Sequence, residues 1–250
     1  MGSIWLRNLP DVLEDLGNVS LYSGWENRSR SSGGYNKLMG IVCHHTASKT
    51  STQSDTTWMW QNSPDKPVGA IYLARDGEIV VGAAGATNCA GKGGPYTTSK
   101  GTIPLDSGNS NTISIEAGNN GIGEQWPTAQ QDAYVALVAA LCEGYGFDPL
   151  RDVMSHFEWA PDRKIDPAGS SRYASGANKW NMDMFRGDVE AKMQPSEEED
   201  IVTQEDIDKI ARAVWRYQTN EPTVNQPVST EALLQNTRLA AANADRQTKP

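Results

Sequence analysis

Four short apolar segments, separated by polar stretches, place the strongest constraint on the fold of this chain. Each has the length and composition of a buried β-strand rather than of a helix. An Asp76-Gly77 pair joins two of them, and this dipeptide between such segments is typical of a β-hairpin. The predicted strands cover residues 38–43, 70–74, 78–81 and 113–117.

A long amphipathic helix follows the last predicted strand. Thr128 is its predicted N-cap, with Gln131 at capping-box spacing, and Gly144 and Gly146 mark its end. Because its apolar face must pack on something, the strands are the available partner. The sequence therefore predicts an α/β domain over residues 1–194, in which a mixed central β-sheet is flanked by helices.

The composition changes after residue 194. Residues 195–202 are rich in acidic side chains and predict a solvated linker. Residues 203–250 open with a second capping-box pattern and predict a helical C-terminal segment. Two interpretations of this segment stay open: a helical appendage or partly disordered tail, or an element for self-association or partner binding.

The composition excludes several classes of protein. With 31 acidic and 22 basic side chains the net charge is −9, which argues against a nucleic-acid-binding protein. No apolar run approaches the roughly 18 residues of a membrane span, so we expect no membrane insertion. Residues 1–20 show no secretory signal peptide. Cys43, Cys89 and Cys142 are too few for a disulfide framework and favour a reducing compartment.

The chain has only three histidines, and their positions are informative. His44 and His45 end the first apolar strand, where adjacent side chains point to opposite faces, so only one of them easily serves as a metal ligand. His156 opens a polar stretch, and Asp166 follows ten residues later, a spacing that suits two ligands on a returning loop. Lys164 would point the same way as Asp166. The alternative is a surface loop with compensating charges.

Glu116 lies within an apolar strand, where an unpaired carboxylate is costly to bury. It either faces solvent or lines a cleft. In a cleft, burial would raise its pKa toward the range of a general base.

Together these motifs resemble the zinc N-acetylmuramoyl-L-alanine amidases of the peptidoglycan-recognition-protein superfamily. The resemblance spans residues 20–190, with the two His motifs, the Lys-x-Asp and the strand Glu in the family's order. Further stretches are similar to the amidase domain of endolysins from phages of actinobacteria. The motifs are residues 41–48 and 155–167, and the endolysin-like stretches are 83–88, 115–121 and 156–161.

The resemblance implies a zinc site and two catalytic side chains. It assigns Zn²⁺ to His44, His156 and Asp166, and leaves His45 packed or behind the ligands. By the same resemblance Glu116 orients or deprotonates the attacking water, and Lys164 stabilises the oxyanion. Some members use a strand Tyr instead, and Tyr72 is the alternative for that role, although its register is not evident from the sequence.

The implied function is a peptidoglycan hydrolase that cleaves the amide between N-acetylmuramic acid and L-Ala of the stem peptide. An endolysin without a signal would stay in the host cytoplasm until lysis and then reach the cell wall. The candidate substrate contacts are Trp126, Trp159, Asn119 and Asn120, with the alternative that both indoles are core residues.

Three other functions stay open at this point. The chain is alternatively a non-catalytic peptidoglycan-binding module of the same superfamily, or a bacterial autolysin. A thiol hydrolase built on Cys43 is disfavoured, because Cys43 and His44 diverge on a strand.

Overall fold

The computed structural model of the chain describes residues 2–62 and 64–194. The predictions of a linker at 195–202 and of a helical, self-associating segment at 203–250 lie outside the described residues. The strands are β1 (Val19–Leu21), β2 (Gly40–His45), β3 (Ile71–Leu73), β4 (Ile79–Val81), β5 (Tyr96–Thr98), β6 (Gly101–Ile103), β7 (Thr112–Ala117) and β8 (Val153–Ser155). The helices are α1 (Leu9–Val12), α2 (Thr52–Trp60), α3 (Thr128–Tyr145), α4 (Pro149–Asp152), α5 (His156–Trp159) and α6 (Met182–Met193).

The main sheet of the described chain has the strand order β1-β4-β3-β7-β2-β8. Only the β3–β4 pair in it is antiparallel, and the other pairs are parallel, so the predicted mixed sheet is confirmed. Two inner strands of this sheet, β2 and β7, are buried along their whole length. Burial on both faces is what a central parallel strand requires.

The predicted hairpin is the antiparallel β3–β4 pair. Leu73 pairs with Ile79, and Gly77 closes the turn with a φ of +91°, which a residue without a side chain adopts without strain. The Asp-Gly signal in the sequence therefore marks the turn correctly.

The main core lies between one face of the sheet and α3. Ile113 and Ile115 of β7 pack in the same apolar cluster as Leu137, Val138 and Leu141 of the helix. Gly146 ends α3 with a φ of +62°, as expected, whereas Gly144, the other predicted end signal, lies inside the last turn of the helix. This packing leaves Ser114 and Glu116 on the opposite face of β7.

The predicted cap of α3 is wrong. Pro127 is the N-cap, Thr128 is the first helical residue, and neither side chain caps the helix. Gln131 is instead drawn into tertiary contacts, since its Nε2 donates to Trp126 O at 2.8 Å.

Residues 82–110, which look like surface loops in the sequence, contain the β5–β6 hairpin. No hydrophobic periodicity marks α2 in the sequence, because its segment is mostly polar. Within residues 2–62 and 64–194, no helix combines the length and apolarity that a membrane span needs.

Candidate metal centre

Three side chains from distant parts of the chain meet at one end of the sheet. His44 lies near the end of β2, His156 begins α5, and Asp166 lies on the loop that follows α5. The Nδ1 atoms of the two histidines are 2.8 Å apart, and Asp166 Oδ2 is 3.0 Å from His44 Nδ1 and 2.9 Å from His156 Nδ1. The sequence-predicted ligand set is therefore brought together as a compact triangle that can hold a metal ion.

The start of α5 holds His156 in place, and one hydrogen bond decides which of its ring nitrogens faces the triangle. Ser155 and Glu158 form a capping box at the start of α5, and Arg186 pairs with the Glu158 carboxylate at 2.6 Å. His156 Nε2 lies 2.9 Å from Ala90 O, and only an N–H can bond a carbonyl oxygen. In the tautomer that makes this bond and keeps Nδ1 unprotonated, His156 presents the Nδ1 lone pair to the other two ligand atoms.

Hydrogen bonds fold the loop that carries Asp166 back onto α5. Phe157 N donates to Asp166 O at 3.2 Å, and Lys164 N donates to Ala160 O at 3.0 Å. These contacts return the chain to the start of α5 within ten residues, which places Asp166 beside His156.

The two adjacent histidines have different roles. His44 is fully buried and points into the triangle, whereas His45 Nδ1 accepts a hydrogen bond from Ala168 N at 3.1 Å. Gly121 lies against the His45 ring, and a Cβ there would be 2.1 Å from Cε1. His45 therefore holds two neighbouring loops, and its side chain is turned away from the ligand triangle.

The protonation states suit metal ligation. Burial, together with the nearby His156, lowers the pKa of His44 to about 4, so this imidazole is neutral at neutral pH. Burial opposes ionisation of Asp166, but the hydrogen bonds with His156 and His44 prevail and hold its pKa well below the usual range. Metal ions bind neutral imidazole and ionised carboxylate, which are the forms that His44 and Asp166 take here.

Glu116 lies beside this cluster. It is in register with His44 on the adjacent parallel strand, and only 8% of its surface is exposed. Its Oε1 accepts a hydrogen bond from Cys89 Sγ at 3.0 Å. Burial raises the pKa of Glu116 to about 8, and the Cys89 hydrogen bond and the Lys164 charge oppose that rise only in part. A carboxyl with a pKa near neutral is suited to proton transfer.

Lys164 is half-buried on the loop before Asp166. After the larger effect of burial, its positive charge further lowers the pKa of both His44 and His45, and it acts on Glu116 as well. The ammonium group therefore contributes positive potential to the same site.

Tyr72, the alternative to Glu116 for the catalytic role, lies beside it on the neighbouring strand. It is in register with Glu116 on β3, a relationship that was not evident from the sequence. Its hydroxyl, however, donates to Asp55 Oδ2 at 2.9 Å. In this arrangement the Tyr72 hydroxyl is committed to a buried carboxylate.

The four candidate substrate contacts are buried in this structure. Trp126 and Trp159 are 1% and 0% exposed and donate their indole N–H groups to Ala168 O and Gly91 O, so the core alternative describes both. Stacking of a sugar on either ring is excluded in this conformation because no ring face is free.

The Asn119-Asn120 pair shapes its own loop. Asn119 Oδ1 accepts from Gly121 N, and Asn120 Oδ1 accepts from Ile122 N and Glu124 N. Both side chains are mostly buried, and their oxygen atoms are engaged in these local bonds.

Cys43 does not have the surroundings of a nucleophile. It is fully buried in the main core, and burial raises the pKa of its thiol to about 12. The disfavoured thiol-hydrolase alternative therefore has no support from the geometry.

A mixed α/β domain with two imidazoles and one carboxylate converging at the strand ends has the donor set of a metal-dependent hydrolase. The family model of N-acetylmuramoyl-L-alanine amidases matches residues 34–169, more than half of the chain. The chain belongs to this family. Comparison with curated protein sequences gives no match.

Several solved structures are similar to this chain. LysC, an N-acetylmuramoyl-L-alanine amidase from Clostridium intestinale, is 17% identical, with 69% of this chain and 96% of that chain covered and a TM-score of 0.45. The Staphylococcus aureus hydrolase AmiA is 15% identical, with 74% and 90% covered and a TM-score of 0.47. The Escherichia coli amidase AmiD, solved with anhydro-N-acetylmuramic acid-L-Ala-D-γ-Glu-L-Lys, is 20% identical, with 58% and 59% covered and a TM-score of 0.41.

Proposed function

We propose that this protein is a zinc-dependent peptidoglycan hydrolase that cleaves the amide between the lactyl group of N-acetylmuramic acid and L-Ala. The observation that carries the proposal is the triangle of His44, His156 and Asp166, whose ligand atoms lie within 3.0 Å of one another. Membership of the amidase family supplies the class of bond.

The donor set fits zinc. Two imidazole nitrogens and one carboxylate oxygen are the three protein ligands of a catalytic zinc site, in which a fourth position stays open. The hydrogen bond between His156 Nε2 and Ala90 O fixes the tautomer, as such carbonyl contacts do for metal-bound histidines. When bound, the ion supplies Lewis-acid polarisation of the scissile carbonyl and makes a water more acidic.

The chain's own residues supply the proton transfers and part of the charge stabilisation. Glu116, with its pKa raised to about 8, takes a proton from the attacking water and returns it to the leaving amine of L-Ala. Lys164 stabilises the negative charge that develops on the carbonyl oxygen.

A non-catalytic peptidoglycan-binding module is the second candidate. The complete ligand set with Glu116 and Lys164 beside it favours the enzyme, because binding alone requires neither a buried base nor a cation at the ligand loop. A zinc-loaded protein that binds purified walls and releases no stem peptide would reverse this choice.

The biological setting that we infer is that of a phage endolysin. Such a protein would stay in the host cytoplasm until lysis and then act on the cell wall, without contacts to nucleic acid and without membrane insertion. The acidic net charge of −9 supports the absence of nucleic-acid contacts. A bacterial autolysin with the same chemistry is the alternative.

Mass analysis of purified peptidoglycan after digestion tests the proposed bond. Each cleavage is expected to release a stem peptide with a free amine on L-Ala and to leave intact glycan chains. New reducing sugar ends, or cleavage within the peptide instead, would contradict the proposal.

A further inference from the structure

A second group of ligand atoms lies next to the triangle. One ring nitrogen of His44, the Sγ of Cys89 and a carboxylate oxygen of Glu116 lie within 4.8 Å of one another. Cys89 Sγ is 3.0 Å from Glu116 Oε1. We refer to His44, Cys89 and Glu116 as the thiol cluster.

Two buried atoms of the thiol cluster lack a hydrogen-bond partner among residues 2–62 and 64–194. They are His44 Nε2 and Glu116 Oε2, which belong to residues that are 0% and 8% exposed. Buried polar atoms nearly always have partners, so a group of unpartnered atoms around one thiol indicates an occupant.

Cys89 is the least buried of the cysteines in the described chain. It is partly exposed, whereas Cys43 and Cys142 are fully buried. Its loop is well anchored, because Asn109 Oδ1 accepts hydrogen bonds from both Cys89 N and Gly91 N at 3.0 Å. The backbone that carries the thiol is therefore held in place beside Glu116. Burial and the neighbouring Glu116 raise the pKa of the Cys89 thiol well above its ordinary value, so a bound ion must displace its proton.

We propose that the thiol cluster is an alternative cation site, which takes a thiophilic divalent ion such as Cd²⁺ in competition with the His44–His156–Asp166 triangle. Thiolate with imidazole and carboxylate selects soft or borderline ions over Mg²⁺ and Ca²⁺. On binding, the S–H bond of Cys89 breaks, a metal–sulfur bond forms, and the proton leaves to solvent.

Occupation of the thiol cluster inhibits the enzyme. The ion holds the Glu116 carboxylate and competes with the triangle for His44, because both clusters use this residue and a neutral imidazole has only one lone pair for a metal ion. This consequence rests on the proposed function, in which Glu116 is the base, whereas the binding itself does not.

Cadmium titration, monitored by the ultraviolet absorption of the Cd²⁺–thiolate bond, tests the binding. We expect this absorption to saturate at one equivalent in the metal-free full-length protein and in His156→Ala, which lacks the triangle. It should vanish in Cys89→Ser and persist in the matched control Cys142→Ala. A band that persists in Cys89→Ser, or no band in the wild type, would overturn the site.

A second measurement separates this site from the proposed function. Cd²⁺ should inhibit wall digestion by the zinc-loaded protein, Mg²⁺ should not, and Cys89→Ser should require at least about tenfold more Cd²⁺ relative to its own starting activity. Equal sensitivity of wild type and Cys89→Ser overturns the inhibitory role. If the zinc-loaded wild type digests no wall before Cd²⁺ is added, the proposed function fails, while the absorption still decides the site.

Discussion

His44 and Glu116 occupy the same register on the adjacent parallel strands β2 and β7, and their side chains project from the same face of the sheet. One strand therefore presents a candidate ligand and its neighbour a candidate base, side by side. Regular pairing holds both backbones, so the spacing between the two groups is set by the sheet rather than by a flexible loop.

Asp166→Ala should abolish stable zinc binding. It removes the charged ligand and leaves two imidazoles, so we expect zinc affinity to fall by at least about 100-fold, together with activity. Zinc content after dialysis measures the loss. Asp162→Ala is the matched control, since Asp162 is an exposed carboxylate on the same loop. Full zinc retention in Asp166→Ala would refute the ligand assignment.

Glu116→Gln should separate activity from stability. The variant should keep zinc and lose activity. In the metal-free protein it should also be more stable than the wild type at pH 8, by about 1–3 kcal/mol, because burial raises the pKa of Glu116 from 4.5 to about 8. The folded protein holds this proton longer than the unfolded chain does, so wild-type stability falls as pH rises between these two values.

Denaturant unfolding of the metal-free proteins at pH 5 and pH 8 measures the stability difference between Glu116→Gln and the wild type and so checks its direction. The advantage of Glu116→Gln should shrink toward pH 5. Glu124→Gln is the control with the opposite sign: burial opposes ionisation of Glu124, but its hydrogen bond with Arg75 prevails and lowers its pKa. A Glu116→Gln protein less stable than the wild type at pH 8 would contradict the burial argument.

Lys164→Ala should lower kcat by about 10²–10³ without loss of zinc or of fold. This is the usual cost of removing one group that stabilises an oxyanion. Steady-state digestion of walls with the zinc-loaded variant measures the effect. Lys92→Ala, which removes an exposed cation from a neighbouring loop, should be close to wild type. Equal effects of the two substitutions would point to general charge rather than to a specific role.

Gly121→Ala should destabilise the protein by about 1–3 kcal/mol. Gly121 has a φ of +71°, and an added Cβ would lie 2.1 Å from His45 Cε1. The displaced His45 would release Ala168 N, two residues after Asp166, so zinc affinity should fall as well.

Gly187→Ala is the control substitution, and chemical denaturation measures the free energy of unfolding of both variants. Gly187 lies inside α6, where an added Cβ meets nothing within 4 Å, so this change should stabilise by about 0.5–1 kcal/mol. Destabilisation by both substitutions to a similar extent would show that the His45 contact is not the cause.

Part of the site is predictable from local sequence patterns. Alternation along β7 puts Glu116 on the face opposite Ile115, and alternation along β2 means that only one of His44 and His45 faces the triangle. The choice of His44, and its grouping with His156 and Asp166, comes from the resemblance to the amidase family and not from local pattern.

The contacts that surround these residues are not predictable in the same way. Ala90 O and Cys89 come from residues 82–110, whose irregular path has no periodic signal, yet they orient His156 and contact Glu116. The burial of Trp126 and Trp159 likewise depends on tertiary packing, which a single sequence does not reveal.

Anomalous scattering from a crystal of the zinc-loaded protein locates the metal ion itself. We expect one strong zinc peak bonded to Nδ1 of His44, Nδ1 of His156 and a carboxylate oxygen of Asp166, each at about 2.0–2.2 Å. A peak at any other group of residues, or none in protein that digests walls, would contradict it.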